Sequence, residues 1–220
     1  MKKAKLVEQL KWVRKCAEEA GIYHAMFLGY GTCLGAVRDK GIIGGDGDAD
    51  VCFLADKFDK AQEDAFYAKL HEYGLFSARH KERRRNDTGR LLWCSVMRQK
   101  DGMKNCIWFQ QKYDGMYWHS KGMEWVEKIG PRLTPPLGPG YVAVGKGIPA
   151  EYMDPLTEVD WYEQKWQIPL HYGKCLDFWY PVWWVPAGGA SWSPYILAVK
   201  DWKNKDSWHL FLREKKKSIQ

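Results

Sequence analysis

Apolar residues recur at helical spacing over residues 3–20, at Leu6, Leu10, Val13, Ala17 and Ala20, and Gly21 is placed to stop the helix that this pattern predicts. The next run, "IYHAMFLGYG" (22–31), is nearly free of charge and predicts a buried strand ending in glycines. From Thr32, "TCLGAVRDK" predicts a short helix closed by Gly41. "DADVCFL" (48–54) has a period of two, so Asp48, Asp50 and Cys52 face one way along a strand and Ala49, Val51 and Phe53 the other. "DKFDKAQEDAFYAKLHEYG" (56–74) predicts a second amphipathic helix, capped by Asp56 and ended by Gly74. The texture then changes. "LFSARH" (75–80), "RLLWCSVMRQ" (90–99), "NCIWFQQKY" (105–113) and "MYWHS" (116–120) are strand-like runs joined by "NDTG", "KDG" and "DG" turns. They predict a meander of three or four antiparallel strands. A Pro/Gly-rich loop region follows from about 130 to 150, and the remaining Trp-rich segment has no resolvable period. The mixture of helices and strands gives an α/β (α+β) class.

Composition adds little to this picture except at two points. The chain has 220 residues, 45% hydrophobic and 28% charged, which suits one substantial domain. Its 13 Trp, 12 Tyr and 8 Phe supply large apolar faces with polar handles, suited to a core or to a wall against a sugar ring. The net charge of +7 gathers in "HKERRRN" (80–86), in "REKKK" (213–217) and at the N-terminus, without any recognised nucleic-acid motif. Nucleic acid is therefore not an expected partner, and the "RRR" at 83–85 reads as solvated charge in a hairpin turn region. Six cysteines (16, 33, 52, 94, 106, 175) lack C-x-x-C or Cys/His metal spacing and several sit in apolar runs, which predicts buried, reduced thiols. The histidines show no metal-ligand spacing either. With no signal-peptide pattern and no stretch apolar enough to span a bilayer, the chain is expected to be cytoplasmic or the soluble part of something larger.

The chemistry concentrates in "GTCLGAVRDKGIIGGDGDADV" (31–51). A strand ends, glycines turn the chain, and Thr32 stands where a helix begins; the N–H groups of a helix start form an anion site. Gly31 and Thr32 are thus candidates to seat a phosphate, with Arg38 further along the helix as an added cation. Asp48 and Asp50, two apart on one strand, are candidates to share a hard cation such as Mg²⁺ or Mn²⁺. Phosphate beside metal supplies positioning and charge neutralisation, the needs of phosphoryl transfer. Asp46 is the nearest spare acid and a candidate base or additional ligand.

This stretch resembles the signature of the LicD/fukutin family, a G-T-L-L-G-A-x-R segment followed by a D-x-D that ends in Asp-Val. Gly31, Thr32, Leu34, Gly35, Ala36, Arg38, Gly41, Asp46, Asp48 and Asp50 match it. A fainter echo lies in "DFWYPVWWVPAGGASW" and "VKDW", similar to carboxy-terminal segments of some members. The resemblance implies a nucleotidyltransferase-like fold of the DNA polymerase β type, a mixed sheet flanked by helices. Residues 1–125 would form that core and 126–220 an aromatic-rich remainder of the same catalytic domain. It also implies transfer of a phospho-substituted group, such as phosphocholine or an alditol phosphate, from a CDP-linked donor to a glycan hydroxyl. Two departures stand out. Gly45 and Gly47 replace a Trp and an Asp common before the last Asp, and the family's further Asp on a later strand falls at Asn105 or Cys106. Two alternatives stay open: a nucleotide-sugar glycosyltransferase using the D-x-D, and a non-catalytic member that binds nucleotide or glycan.

Overall fold

The computed structural model describes residues 2–75, 83–85, 91–96, 104–113, 115–118 and 148–180. The expected strand over 76–80, the turns at 86–89 and 100–102, Asp114, most of the 130–150 loop and the tail from 181 lie outside the described residues.

Helix α1 (Lys2–Glu19) buries its predicted stripe of Leu6, Leu10, Val13 and Ala17, and Gly21, at φ +72°, ends it. The expected strand over 22–31 is shorter than its apolar run: a 3₁₀ turn (Tyr23–Ala25) leads into β1 (Met26–Leu28). Helix α2 (Tyr30–Leu34) begins two residues before Thr32 and runs into a π-helical turn (Gly35–Asp39). Strand β2 (Asp48–Leu54) and helix α3 (Lys60–Glu72) follow. The cap of α3 is Asp59 and not Asp56. Asp59 accepts the Gln62 N–H at 2.8 Å while the Gln62 side chain accepts the Asp59 N–H at 3.1 Å, a reciprocal box that Asp56 lacks the partner to make. Asp56 instead accepts a bond from the Tyr117 hydroxyl at 2.8 Å. Asp59→Ala is expected to lower stability by about 1 kcal/mol, the usual worth of such a cap, read as a shift in the urea midpoint at constant slope.

Strands β4 (Leu91–Val96), β5 (Lys104–Tyr113) and β6 (Met116–Trp118) form the expected antiparallel meander, and β3 (Arg83–Arg85), which was not expected, pairs antiparallel with β4. The arginine run is therefore a strand and not a turn, and among the described residues β3 is the last strand on this side of the sheet. The sheet order is β1-β2-β5-β4-β3, with β2 parallel to β5 and antiparallel to β1. Beyond its pairing with β2, β5 continues at Gln111–Tyr113 to pair with β6, which in turn meets β7 (Ile148–Pro149), so the mixed sheet curls.

Helices cover this sheet on both faces. On one, Phe53 and Phe109 lie in register and stack with ring centroids 5.3 Å apart, while Phe66 of α3 packs on both. All three are fully buried, and each contributes roughly 1.5–3 kcal/mol by leaving water. Helix α1 shares that face: the Leu6 carbonyl accepts the Asn105 side-chain N–H at 3.4 Å. The other face carries Asp48, Asp50 and Cys52, as the alternation predicts, beneath α2.

The Trp-rich segment contains regular structure that periodicity does not reveal. After α4 (Ala150–Met153) comes a hairpin of β8 (Leu156–Trp161) and β9 (Gln164–Pro169), then α5 (Tyr172–Trp179). The hairpin turn is Tyr162–Glu163, both left-handed at φ 48° and 62°, where Asn-Gly is the usual choice. The hairpin docks on the first half of the chain. Arg14 donates to the Lys165 carbonyl at 2.7 Å and lies over the Tyr23 ring, 4.4 Å from its centroid. No helix among the described residues is long and apolar enough to cross a membrane. All six cysteines are free and buried.

Candidate active site

The site begins where β1 hands over to α2. Gly29 lies against Cys52 of the neighbouring strand: a Cβ there would meet the Cys52 sulfur at 2.4 Å, so only glycine permits this approach. Tyr30 then takes a left-handed conformation, φ 43°, unusual for a bulky side chain. It is held by its surroundings. Its hydroxyl accepts a bond from Gln110 at 2.9 Å and its ring packs on Trp108 and Trp179, with centroids 6.0 and 4.8 Å away. A residue held against its backbone preference is a mark of functional regions. The first hydrogen bond of α2 runs from Cys33 N–H to the Gly29 carbonyl, so the N–H groups of Gly31 and Thr32 precede the helical ladder.

Thr32 is 3% exposed, and its hydroxyl accepts the Asp50 N–H at 2.7 Å. Its side chain therefore pins the helix start to the acidic strand. Asp50 is held twice more: its carbonyl accepts the Gly29 N–H at 3.1 Å, and one carboxylate oxygen accepts the Trp108 indole N–H at 2.9 Å. Arg38 makes a two-point contact with the neighbouring Asp39, at 2.7 and 2.9 Å, which raises its own affinity for a proton and holds the Asp39 carboxyl below the usual range. This pairing at the end of the π-helical turn gives Arg38 a local structural role.

The glycine loop brings Asp46 back over α2. Two remote anchors fix it: Lys3 donates to the Ile42 carbonyl at 2.7 Å, and the Ile42 N–H donates to the Tyr162 hydroxyl at 3.2 Å. Asp46 then faces Gly31, where a Cβ would come within 3.2 Å of its carboxylate and 3.7 Å of the Tyr180 hydroxyl. Gly31 has no left-handed φ; what it provides is room. Burial, then a hydrogen bond and charge shared with the Asp48 carboxyl, push Asp46 up to about 6. Burial first, then the charges of Asp50, Asp46 and Asp48, also keep the Tyr180 phenol firmly protonated.

The sign of the Asp46 shift gives a test. A carboxyl raised in the folded state stabilises the fold below its ordinary pKa of 3.8, and that contribution is lost as pH rises through about 6. Asn at 46 keeps an acceptor and offers Asp48 a permanent donor. Metal-free Asp46→Asn is therefore expected to melt roughly 2–4 °C above wild type at pH 7, about 1 kcal/mol after solvent screening, with the gap closing by pH 4. An equal gap at both pH values would remove Asp46 from contact with Asp48.

Parallel register sets Asp50 opposite Cys106 and Ala49 opposite Asn105. Cys106 therefore stands on the acidic face, while Asn105 points to the α1 side and is fully buried. One carboxylate oxygen each from Asp48 and Asp50 and the Cys106 sulfur lie within 4.8 Å of one another, the one such group of potential metal ligands among the described residues. This donor set fits a divalent cation, whose bonds to oxygen and sulfur run about 2.0–2.3 Å. The spacing of the D-x-D had identified its two carboxylates, and the resemblance had narrowed the third position to 105 or 106. Trp108, Gln110 and Tyr30 are additions, found only once β5 is registered against β2.

The LicD/FKTN/FKRP family model, a nucleotidyltransferase domain, matches residues 24–133, half of the chain. The chain belongs to this family. No curated protein matches it. Family membership points to a transferase with a phosphotransferase or glycan-modifying role. In this LicD-family chain the matched stretch holds Gly31, Asp46, Asp48, Asp50 and Cys106, whereas Tyr180 and the Tyr162 anchor come from outside it.

Proposed function

We propose that this LicD-family chain transfers a phospho-substituted group, of the phosphocholine or alditol phosphate type, from a CDP-linked donor to a glycan hydroxyl. The observation that carries the reading is the hydrogen bond from the Asp50 N–H to the Thr32 hydroxyl, which fastens a helix start to the strand that bears Asp48 and Asp50. The backbone N–H groups of Gly31 and Thr32 would orient a donor phosphate. Asp48 and Asp50 would hold a divalent cation, which when bound neutralises phosphate charge. Asp46, hydrogen-bonded to Asp48 and facing Gly31, would serve as general base for the acceptor hydroxyl. On this reading the chain works as a single domain, with a nucleotidyltransferase-like core at 1–125 and an aromatic-rich part at 126–220. Tyr30, Trp108 and the buried Trp179 form an aromatic cluster that backs the acids.

The test is a thermal-shift screen of CDP, UDP and GDP conjugates with and without Mg²⁺ or Mn²⁺. A CDP conjugate at a hundredfold excess over Kd is expected to stabilise the fold by about 2.7 kcal/mol, in a cation-dependent manner. Stabilisation by UDP-sugars alone would instead identify a glycosyltransferase. Cys106 in place of a third carboxylate favours a second reading, a member that binds without turnover. Release of CMP from a bound donor in the presence of acceptor glycans would exclude it.

A further inference from the structure

We infer that Cys106 is a ligand in the Asp48/Asp50 centre and makes it a site for a thiophilic divalent cation of the Zn²⁺ class in preference to Mg²⁺. The inference rests on the proposal that Asp48 and Asp50 hold a metal. Its new content is the third donor and the selectivity that follows.

The geometry is built into the sheet. Cys106 is the direct parallel partner of Asp50, so its side chain rises from the same face, one strand away. Its sulfur reaches both carboxylates within the 4.8 Å span, although the residue is only 6% exposed. Neither strand can shift to withdraw it. β5 is flanked by β2 on one side and β4 on the other, with Asp50↔Cys106 and Ser95↔Cys106 both in register. Asp50 is equally fixed, because Trp108 binds one of its oxygens and Thr32 its backbone N–H. Support of this kind orients a ligand.

Burying a cysteine as a small apolar filler is common, and the other five cysteines of the chain are buried too. Cys106 differs in its neighbours: among the described residues, only its sulfur forms a potential metal-ligand group with carboxylates. The ligand set decides which metal is preferred. Mg²⁺ demands hard oxygen donors in octahedral geometry and gains little from sulfur. Thiolate with two carboxylates suits Zn²⁺ and its spectroscopic substitutes Co²⁺ and Cd²⁺, with a fourth position open for a donor oxygen. Ligation converts the thiol to thiolate, and the proton leaves to solvent.

The test uses the full 220-residue chain, stripped of metal and titrated with Co²⁺ or Cd²⁺ while absorbance is followed. A sulfur-to-metal charge-transfer band is expected, saturating at one cation per chain. Zn²⁺ should erase it at far lower concentration than Mg²⁺. Cys106→Ser and Asp50→Asn should each lose the band. Cys106→Asp, a second variant should serine disturb folding, should still bind Mn²⁺, without the band and with Mg²⁺ now an effective competitor. Cation binding that requires Asp48 and Asp50 but shows no band would overturn the role of Cys106 and leave the metal reading standing. A band that survives Asp48→Asn and Asp50→Asn would overturn it by placing the thiolate elsewhere. No binding of any cation to wild type would overturn both readings.

Discussion

Asp50→Asn is expected to abolish metal-dependent nucleotide binding while leaving the fold intact. The substitution keeps an oxygen to accept the Trp108 indole N–H and leaves the backbone bonds to Thr32 and Gly29 untouched. What it removes is one of the two close like charges of Asp48 and Asp50, so the metal-free protein should be no less stable than wild type. Loss of a charged ligand costs far more in binding than in folding; a fall in affinity of at least a hundredfold, about 2.7 kcal/mol, is the expected scale. Asp48→Asn should behave likewise. Isothermal titration with Mn²⁺ and a CDP conjugate measures this directly, and wild-type affinity in either variant would remove these carboxylates from the site.

The second large effect separates two glycines of one motif. A Cβ on Gly35 would sit 2.4 Å from the Gly41 carbonyl oxygen, a backbone atom that cannot rotate away. The Gly41 N–H also returns to the Gly35 carbonyl at 3.1 Å, so the two segments cannot part without breaking that bond. Gly35→Ala should therefore cost about 3 kcal/mol, seen as a lowered denaturation midpoint, with normal ligand affinity in the fraction that folds. Gly31→Val should do the reverse. Its methyl groups would displace the Asp46 carboxylate and crowd the Tyr180 hydroxyl, so affinity falls more than stability does. If the two variants showed the same balance of effects, Gly31 would be a packing residue like Gly35.

That contrast also shows where sequence reasoning reached and where it stopped. The alternation in "DADVCFL" assigned both faces of β2 correctly because a period of two leaves one choice once Ala49, Val51 and Phe53 are buried. Helix α1 was equally legible, its stripe unbroken over 18 residues. The start of α2 was misplaced because a left-handed tyrosine between glycines looks like a turn, and only tertiary packing makes it the first helical residue. The hairpin of β8 and β9 was missed for a related reason: Tyr162–Glu163 lacks turn chemistry, and its left-handed pair is maintained by a tyrosine that bonds to Ile42. The choice between Asn105 and Cys106 needed the register of β2 against β5, a pairing across 56 residues of chain that no local pattern encodes.

The anchoring of the glycine loop has a consequence for how the protein is made. The loop that aims Asp46 is fastened by Lys3 and by Tyr162, partners separated from Ile42 by 39 and 120 positions. Contacts of such long range form late, because closing so much chain must precede any reward. On the ribosome, helix α1 and the acidic strand emerge early, yet the loop between them has no final conformation until the hairpin turn has cleared the exit tunnel. Defects in β8 or β9 should therefore yield nascent chains with an ordered sheet and an unfinished centre, which limited proteolysis would cut first between Gly41 and Gly47.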